Sequence, residues 1–172
     1  MEEPKMSLAD ALVMDLEAEA APTRKMLAAV PGGKFDWRPH ERSWTLAELA
    51  SHIAESPTWL TSMGEDEMDF AAMEDYRPFV AGDPGELTKA FDDNLAGALE
   101  FVRGKDDAFL ERTWTMRMGE KVLMQQPKAS VIRQIGIHHL IHHRGQLSVY
   151  LRLLDVPLPP VYGPTADHPD FQ

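Results

Sequence analysis

The sequence predicts an all-α fold, a four-helix bundle with a long crossover between helices 2 and 3. Three observations predict it: apolar residues recur at steps of three and four in separate stretches, helix-start signals precede three of these, and prolines and glycines divide them. Leu8, Leu12, Leu16, Ala20, Leu27 and Val30 mark a first helix over roughly residues 7–30, with Ser7 and Asp10 as its start. Pro22 removes an amide donor inside it, so a bend or break is expected there, and Pro31-Gly32-Gly33 ends it. Thr45 and Glu48 have the spacing of a capping box, and Leu46, Leu49, Ile53 and Leu60 follow as the second helix.

Gly64 to Gly82 mixes acids with glycine and proline and reads as a solvated crossover loop. Asp83-Pro84-Gly85-Glu86 then opens a third helix carrying Leu87, Phe91, Leu95, Leu99 and Val102. Trp114 to Met118 and Lys121 to Met124 flank Gly119-Glu120 and could form a small hairpin before helix 4. From about Pro127 to Asp155 no proline intervenes and apolar residues lie all round, which predicts a long central fourth helix, stopped by Pro157, Pro159 and Pro160.

At 172 residues the chain is expected to form a single domain with one core. Without cysteine there is no disulfide framework, thiolate metal site or cysteine nucleophile, so metal ligands must be histidine or carboxylate. Seventeen Lys and Arg against 28 Asp and Glu give a formal charge of −11, which opposes phosphate backbones and anionic lipid. No nucleic-acid partner is expected. Met1-Glu2-Glu3-Pro4-Lys5 lacks a basic leader pattern and no apolar run approaches the ~18 residues of a membrane span, so a cytoplasmic protein with no membrane partner is expected. The ten methionines read as adaptable core filling, and the acids from Glu65 to Asp75 as a solvated segment lacking a calcium-loop pattern. Trp37, Trp44, Trp59 and Trp114 suit packing or the lining of a pocket.

The chemistry concentrates in His138-His139-Leu140-Ile141-His142-His143, two interleaved i,i+4 pairs. On a helix each pair shares a face with Cβ atoms ~5–6 Å apart, close enough for two imidazoles to meet one ion. Helical phase does not choose between them. His52, inside the second helix, is a candidate third ligand from a neighbouring element. Three neutral imidazoles leave coordination positions for water or substrate. Candidate supporting groups are Gln146 and Tyr150, one and two turns beyond His143, and Glu55 beside His52; Arg144 suits an ion pair or the tail better than substrate.

Trp44 to Glu55, His139 to Gln146 with its HxxxHRGQ pattern, and Pro159 to Asp167 closely resemble the DinB-like family of small helical proteins, and the resemblance covers most of the chain. It implies a four-helix bundle and a homodimer. The family's metal ligands fall on His52, His139 and His143, which resolves the pairing and leaves His138 and His142 to packing, an interface or a supporting role. The implied cofactor is a divalent metal ion, with zinc, nickel and iron all suited to imidazole. The implied activity is metal-dependent hydrolysis or thiol S-transfer on a small-molecule substrate, with any thiol supplied by a low-molecular-weight partner. The alternatives are a metal-binding protein without turnover and a metal-free helical dimer module in stress response.

Overall fold

The computed structural model describes residues 6–170; residues 1–5, read above for leader features, lie outside these. The elements are α1 (Leu8–Ala28), α2 (Leu46–Glu55), β1 (Glu67–Asp69), α3 (Pro84–Arg103), α4 (Asp107–Glu111), β2 (Thr113–Met118), β3 (Lys121–Pro127), α5 (Lys128–Val131) and α6 (His139–Leu153). A 3₁₀ segment, Ser56–Gly64, prolongs α2, and a π-helical segment, Ile132–His138, joins α5 to α6. No helix among the described residues is long and apolar enough to cross a membrane.

The local start signals act as the sequence predicts. Ser7 and Asp10, and likewise Thr45 and Glu48, satisfy each other's free backbone donors in reciprocal capping boxes. Those hydrogen bonds from Thr45 hold the Glu48 carboxyl below its usual range. Asp83 accepts from the amides of Gly85 and Glu86, with Pro84 in the first turn where its missing donor costs nothing. Pro57 occupies the same kind of position in the 3₁₀ segment.

Four features differ from the sequence reading. First, the fold is mostly helical but not all-α, because a three-stranded sheet in the order β1-β2-β3 is added to it. The anticipated hairpin is β2 and β3, antiparallel; Gly119 opens its two-residue turn at φ 58°, a conformation that favours glycine there. Second, the crossover supplies β1, which runs parallel to β2 with Glu67 opposite Thr115 and Asp69 opposite Arg117. The acids around it are exposed, as the sequence reading has them, and two of them also form ion pairs: Glu67 pairs with Arg117 at 2.7 Å, and Asp66 pairs with Arg112 and, at 2.8 Å, with Lys128. Lys128 is fully buried and donates to the carbonyls of Met63 and Glu65, both at 2.7 Å, tying the crossover to the start of the last helical run. Third, α1 continues through Pro22 without a break. Thr23 Oγ1 and the Arg144 guanidinium donate to the Glu19 carbonyl in that turn, supplying hydrogen bonds beside the one proline removes. Fourth, residues 128–153 form one helical run interrupted by the π segment.

Helix α1 packs on α3, α3 on α2, α2 on α6 and α6 on α1. The buried apolar residues fall into two clusters. One gathers Leu12, Leu16, Leu60, Val102, Trp114 and Ile137, and the other Leu27, Leu49, Ile53, Phe91, Leu140 and Leu147. The histidines lie between them.

Candidate metal centre

His52 occupies the last turn of α2, while His139 and His143 occupy the first two turns of α6. The capping box at Thr45 sets where α2 begins and hence which way His52 faces. On the other side, the π segment ends immediately before His139, and π turns recur where a helix is bent to a functional geometry. Gly136 in that segment is buried against Leu60: a Cβ there would stand 2.8 Å from Leu60 Cδ2 and 2.9 Å from Cδ1. The absence of a side chain lets the 3₁₀ segment carrying Trp59 close onto the helix just before His139.

The three imidazoles converge through their Nε2 atoms. His139 Nε2 lies 3.4 Å from His52 Nε2 and 3.0 Å from His143 Nε2, and one ligand atom from each of the three lies within 4.8 Å of the others. At a metal–nitrogen distance of about 2.0–2.1 Å, neighbouring ligands stand about 2.9–3.4 Å apart for angles from square to tetrahedral. The two separations at His139 fall in that span, and the His52–His143 pair lies within 4.8 Å. His143 Nδ1 donates to Gln146 Oε1 at 2.7 Å, which leaves the lone pair on Nε2 facing the other two rings.

Electrostatics keep the rings neutral. Burial, followed by the neighbouring histidines His143 and His139, pushes His52 down to about 4. Burial, followed by His143 and His142, does the same to His139. His143 is lowered chiefly by burial, opposed by its Gln146 hydrogen bond. Neutral imidazole is the coordinating form.

Tryptophans wall the cluster. The Trp44 ring lies 4.8 Å from His52 and stacks on His143 at 5.6 Å, and Trp59 lies 5.1 Å from His52 and 5.4 Å from His139. Tyr150 does not reach the histidines: its hydroxyl donates to the Trp44 carbonyl at 3.1 Å and so braces that ring. Trp37 packs edge-on against Tyr150. His138 and His142 are exposed, the latter with its ring 4.9 Å from that of His143. Arg144 is buried and binds Glu19 at 2.6 Å, Thr23 at 2.9 Å and the Tyr162 hydroxyl of the tail at 2.8 Å. That is the carboxylate-and-tail role read from the sequence.

Glu55 is not solvated. It is buried one turn after His52 and lines an apolar cavity of about 380 Å³ that extends to His139. The cavity walls include Met68, Phe70, Met73 and Tyr76 from the crossover and Met116 and Met124 from the hairpin. Sequence reasoning missed the first four because acids surround them; the apolar residues spaced through that acidic stretch were the available signal. Burial, reinforced by the adjoining Glu55 carboxylate, raises the Tyr76 phenol to about 12. A separate open groove of about 510 Å³, lined by Arg42, Trp44, His143 and Gln146 among others, shares no lining residue with the cavity.

Comparison with known proteins agrees with this architecture. The profile of the DinB family matches residues 6–170. The uncharacterized protein YrdA of Bacillus subtilis is 26% identical over 164 residues, covering 92% of this chain and 90% of its own length. A crystal structure of a DinB-like protein from Bacillus cereus superposes with a TM-score of 0.68 at 22% identity, over 89% of this chain and 97% of the other. Another DinB-like protein, YjoA from Bacillus subtilis, superposes with a TM-score of 0.66 at 19% identity, over 88% and 97%.

Proposed function

The chain belongs to the DinB family, and from that premise we propose that it holds a divalent metal ion on His52, His139 and His143 and acts on a small molecule by hydrolysis or thiol S-transfer. The observation that carries the reading is the convergence of three neutral imidazoles through Nε2, at 3.0 and 3.4 Å, from elements 87 residues apart in sequence. Two such rings on one helix are an ordinary i,i+4 coincidence; a third aimed at the same point from α2 is a ligand set. The ring of helix contacts, α1 to α3 to α2 to α6 and back to α1, supports a four-helix bundle as the scaffold.

A bound divalent ion would supply Lewis-acid stabilisation of negative charge developing on a substrate oxygen or sulfur. The chain does the rest. Gln146 orients His143, Trp44 and Trp59 pack against the rings, and the tail holds Arg144 away from the site. Three protein ligands leave coordination positions for substrate. The cavity that ends at His139 supports turnover over a purely structural ion, which needs no such access.

Elemental analysis by mass spectrometry on tag-free protein tests the reading. Near-stoichiometric zinc, nickel or iron is expected in the wild type and in His138→Ala, and its loss in His52→Ala, His139→Ala and His143→Ala. Wild-type protein that stays metal-free after incubation with zinc, nickel, iron(II) and manganese would overturn it.

A further inference from the structure

The cavity behind His139 is held open by the fold. Protein interiors are close-packed and carry few voids larger than a water molecule, yet this one measures about 380 Å³, within the range of small-molecule sites. Its walls come from the 3₁₀ segment, the crossover, the hairpin and the last helical run, and hydrogen bonds tie these elements to one another. Strand β1 pairs with β2, the Gly119 amide donates to Asp69 Oδ1 at 2.9 Å, and Lys128 ties the end of the 3₁₀ segment to the start of α5. Those ties position the walls without contact across the space.

The polarity of the walls narrows the occupant. Five of the ten methionines, Met63, Met68, Met73, Met116 and Met124, line the cavity together with aromatic rings. Methionine is unbranched and polarisable, which suits contact with apolar ligands of varied shape. The lining contains neither lysine nor arginine, and Glu55 is its sole Asp or Glu. That carboxylate is almost fully buried and already has the Tyr76 hydroxyl against it, and the Ser62 hydroxyl donates to the Trp59 carbonyl of its own segment at 2.6 Å. A charged group entering this space would lose its hydration without gaining a free partner of opposite sign, whereas each methylene buried tightens binding by about fourfold. The single histidine in the lining is His139, so the cavity meets the candidate metal centre at that residue.

We propose that the cavity is the substrate pocket of the metal centre and takes an uncharged, apolar molecule, with its carbon body between the methionine and aromatic walls and its reacting group at the His139 end. The proposal rests on the reading that the three histidines hold a metal, since that makes the His139 end the reactive one. Selection is by absence of charge and by buried carbon rather than by a fixed hydrogen-bond pattern. The crossover takes part in it, because Met68, Phe70, Met73 and Tyr76 belong to the walls.

Displacement of an uncharged fluorescent probe, N-phenyl-1-naphthylamine, tests the selectivity. Saturable probe binding is expected, with displacement by 1-hexanol, 1-heptanol and 1-octanol tightening by about fourfold for each added methylene. Octane-1-sulfonate and octylammonium, which carry the same chain on a charge of either sign, should displace it at least about tenfold more weakly than 1-octanol. Met73→Trp, which adds volume at a half-buried wall, should weaken the probe by about tenfold or more, with near-ultraviolet circular dichroism reporting that the variant is folded. Phe70→Ala, at an exposed wall position where truncation spares the core, should weaken it by about threefold or more and decides the matter if Met73→Trp does not fold. No saturable binding by the wild type, a charged octyl compound as tight as 1-octanol, or undiminished probe binding by folded Met73→Trp or by Phe70→Ala would overturn the proposal. Metal content measured on the same samples separates the two readings. Bound metal without probe binding sinks the pocket alone, whereas apolar binding by a chain that takes up no metal sinks the metal centre and leaves the pocket without its reactive end.

Discussion

Gly136→Ala is the substitution on which local helix energetics and packing disagree most sharply. Within a helix, alanine is preferred to glycine by about 0.8–1.0 kcal/mol. At Gly136, however, the new methyl carbon would stand 2.8, 2.9 and 3.3 Å from Cδ2, Cδ1 and Cγ of Leu60, against about 3.5–4.0 Å for relaxed carbon contacts. Leu60 is fully buried and sits in a packed cluster with Met63, Val131 and Ile132, so neither side can yield by rotating into solvent. Overpacking of this kind costs about 1–3 kcal/mol, so the helical gain is cancelled or outweighed and the net effect is a destabilisation of up to about 2 kcal/mol. For a chain of this length that lowers Tm by up to about 8 °C. Gly97→Ala is the internal control: it lies exposed in α3 with nothing within 4 Å of the new carbon, so it should stabilise by about 0.5–1 kcal/mol. Urea unfolding of both variants measures the contrast. A double variant with Leu60→Ala should be less destabilised than the sum of its parts, because the new methyl fills part of the space the leucine vacates. A Gly136→Ala protein as stable as Gly97→Ala would refute the reasoning, and with it the close approach that positions His139.

Two further outcomes follow from charge. Arg144→Met removes the guanidinium from the nearly buried Glu19 carboxylate and one of the hydrogen bonds at the Tyr162 hydroxyl, leaving only the bond from Tyr162 to Glu19, so it should cost about 3 kcal/mol in urea unfolding, the low end for a broken buried pair. The tail beyond Leu158 should also become sensitive to limited proteolysis; unchanged protection would show that Arg144 is not its anchor. In metal-free protein, burial pushes His52 and His139 down to about 4 when folded, against the ordinary imidazole value of about 6.5 when unfolded, so between those values the unfolded chain binds protons that the folded one does not. Stability is therefore full above about pH 6.5 and declines as pH falls toward 4, whereas the lowered carboxylates Asp66, Asp69 and Asp167 contribute their losses below that window. Urea midpoints from pH 7.5 to 4.5 should fall in the wild type and fall less in His52→Leu; parallel slopes would refute the depressed imidazole.

What could be read from the sequence is what is local. Ser7 with Asp10, Thr45 with Glu48 and Asp83-Pro84 announce helix starts because their hydrogen bonds close within three residues, and all three are in place. The hairpin was visible for the same reason, its strands meeting across Gly119-Glu120. Strand β1 was not, because three residues paired in parallel with β2 leave no periodicity to detect, and the ion pairs that hold it reach 46 to 62 positions along the chain. The π segment was equally hidden, since its cause lies in Leu60 pressing on Gly136 from another element. At the site, the HxxxH spacing announced two equivalent pairs, and only the burial of Leu140, Arg144 and Leu147 turns His139 and His143 inward while His138 and His142 stay exposed.

The position of the histidines between the two apolar clusters has its own logic. Ile53 and Ala54 belong to one cluster, and Leu60 and Met63, a few residues on, to the other; Ile137 and Leu140 divide in the same way. Both chain segments therefore cross the seam between clusters, and both leave regular α-helix in doing so, through the 3₁₀ segment after Glu55 and the π segment before His139. Within either cluster an imidazole would displace apolar contacts and need a buried partner. At the seam it displaces little, and three rings there can satisfy a single ion together. The arrangement carries a cost in the metal-free protein, where three desolvated rings face one another with His139 Nδ1 unpaired among the described residues. Apolar replacement at His52 should therefore ease folding of the metal-free chain while abolishing the ligand set, which is the trade expected where a site is maintained for chemistry rather than for stability.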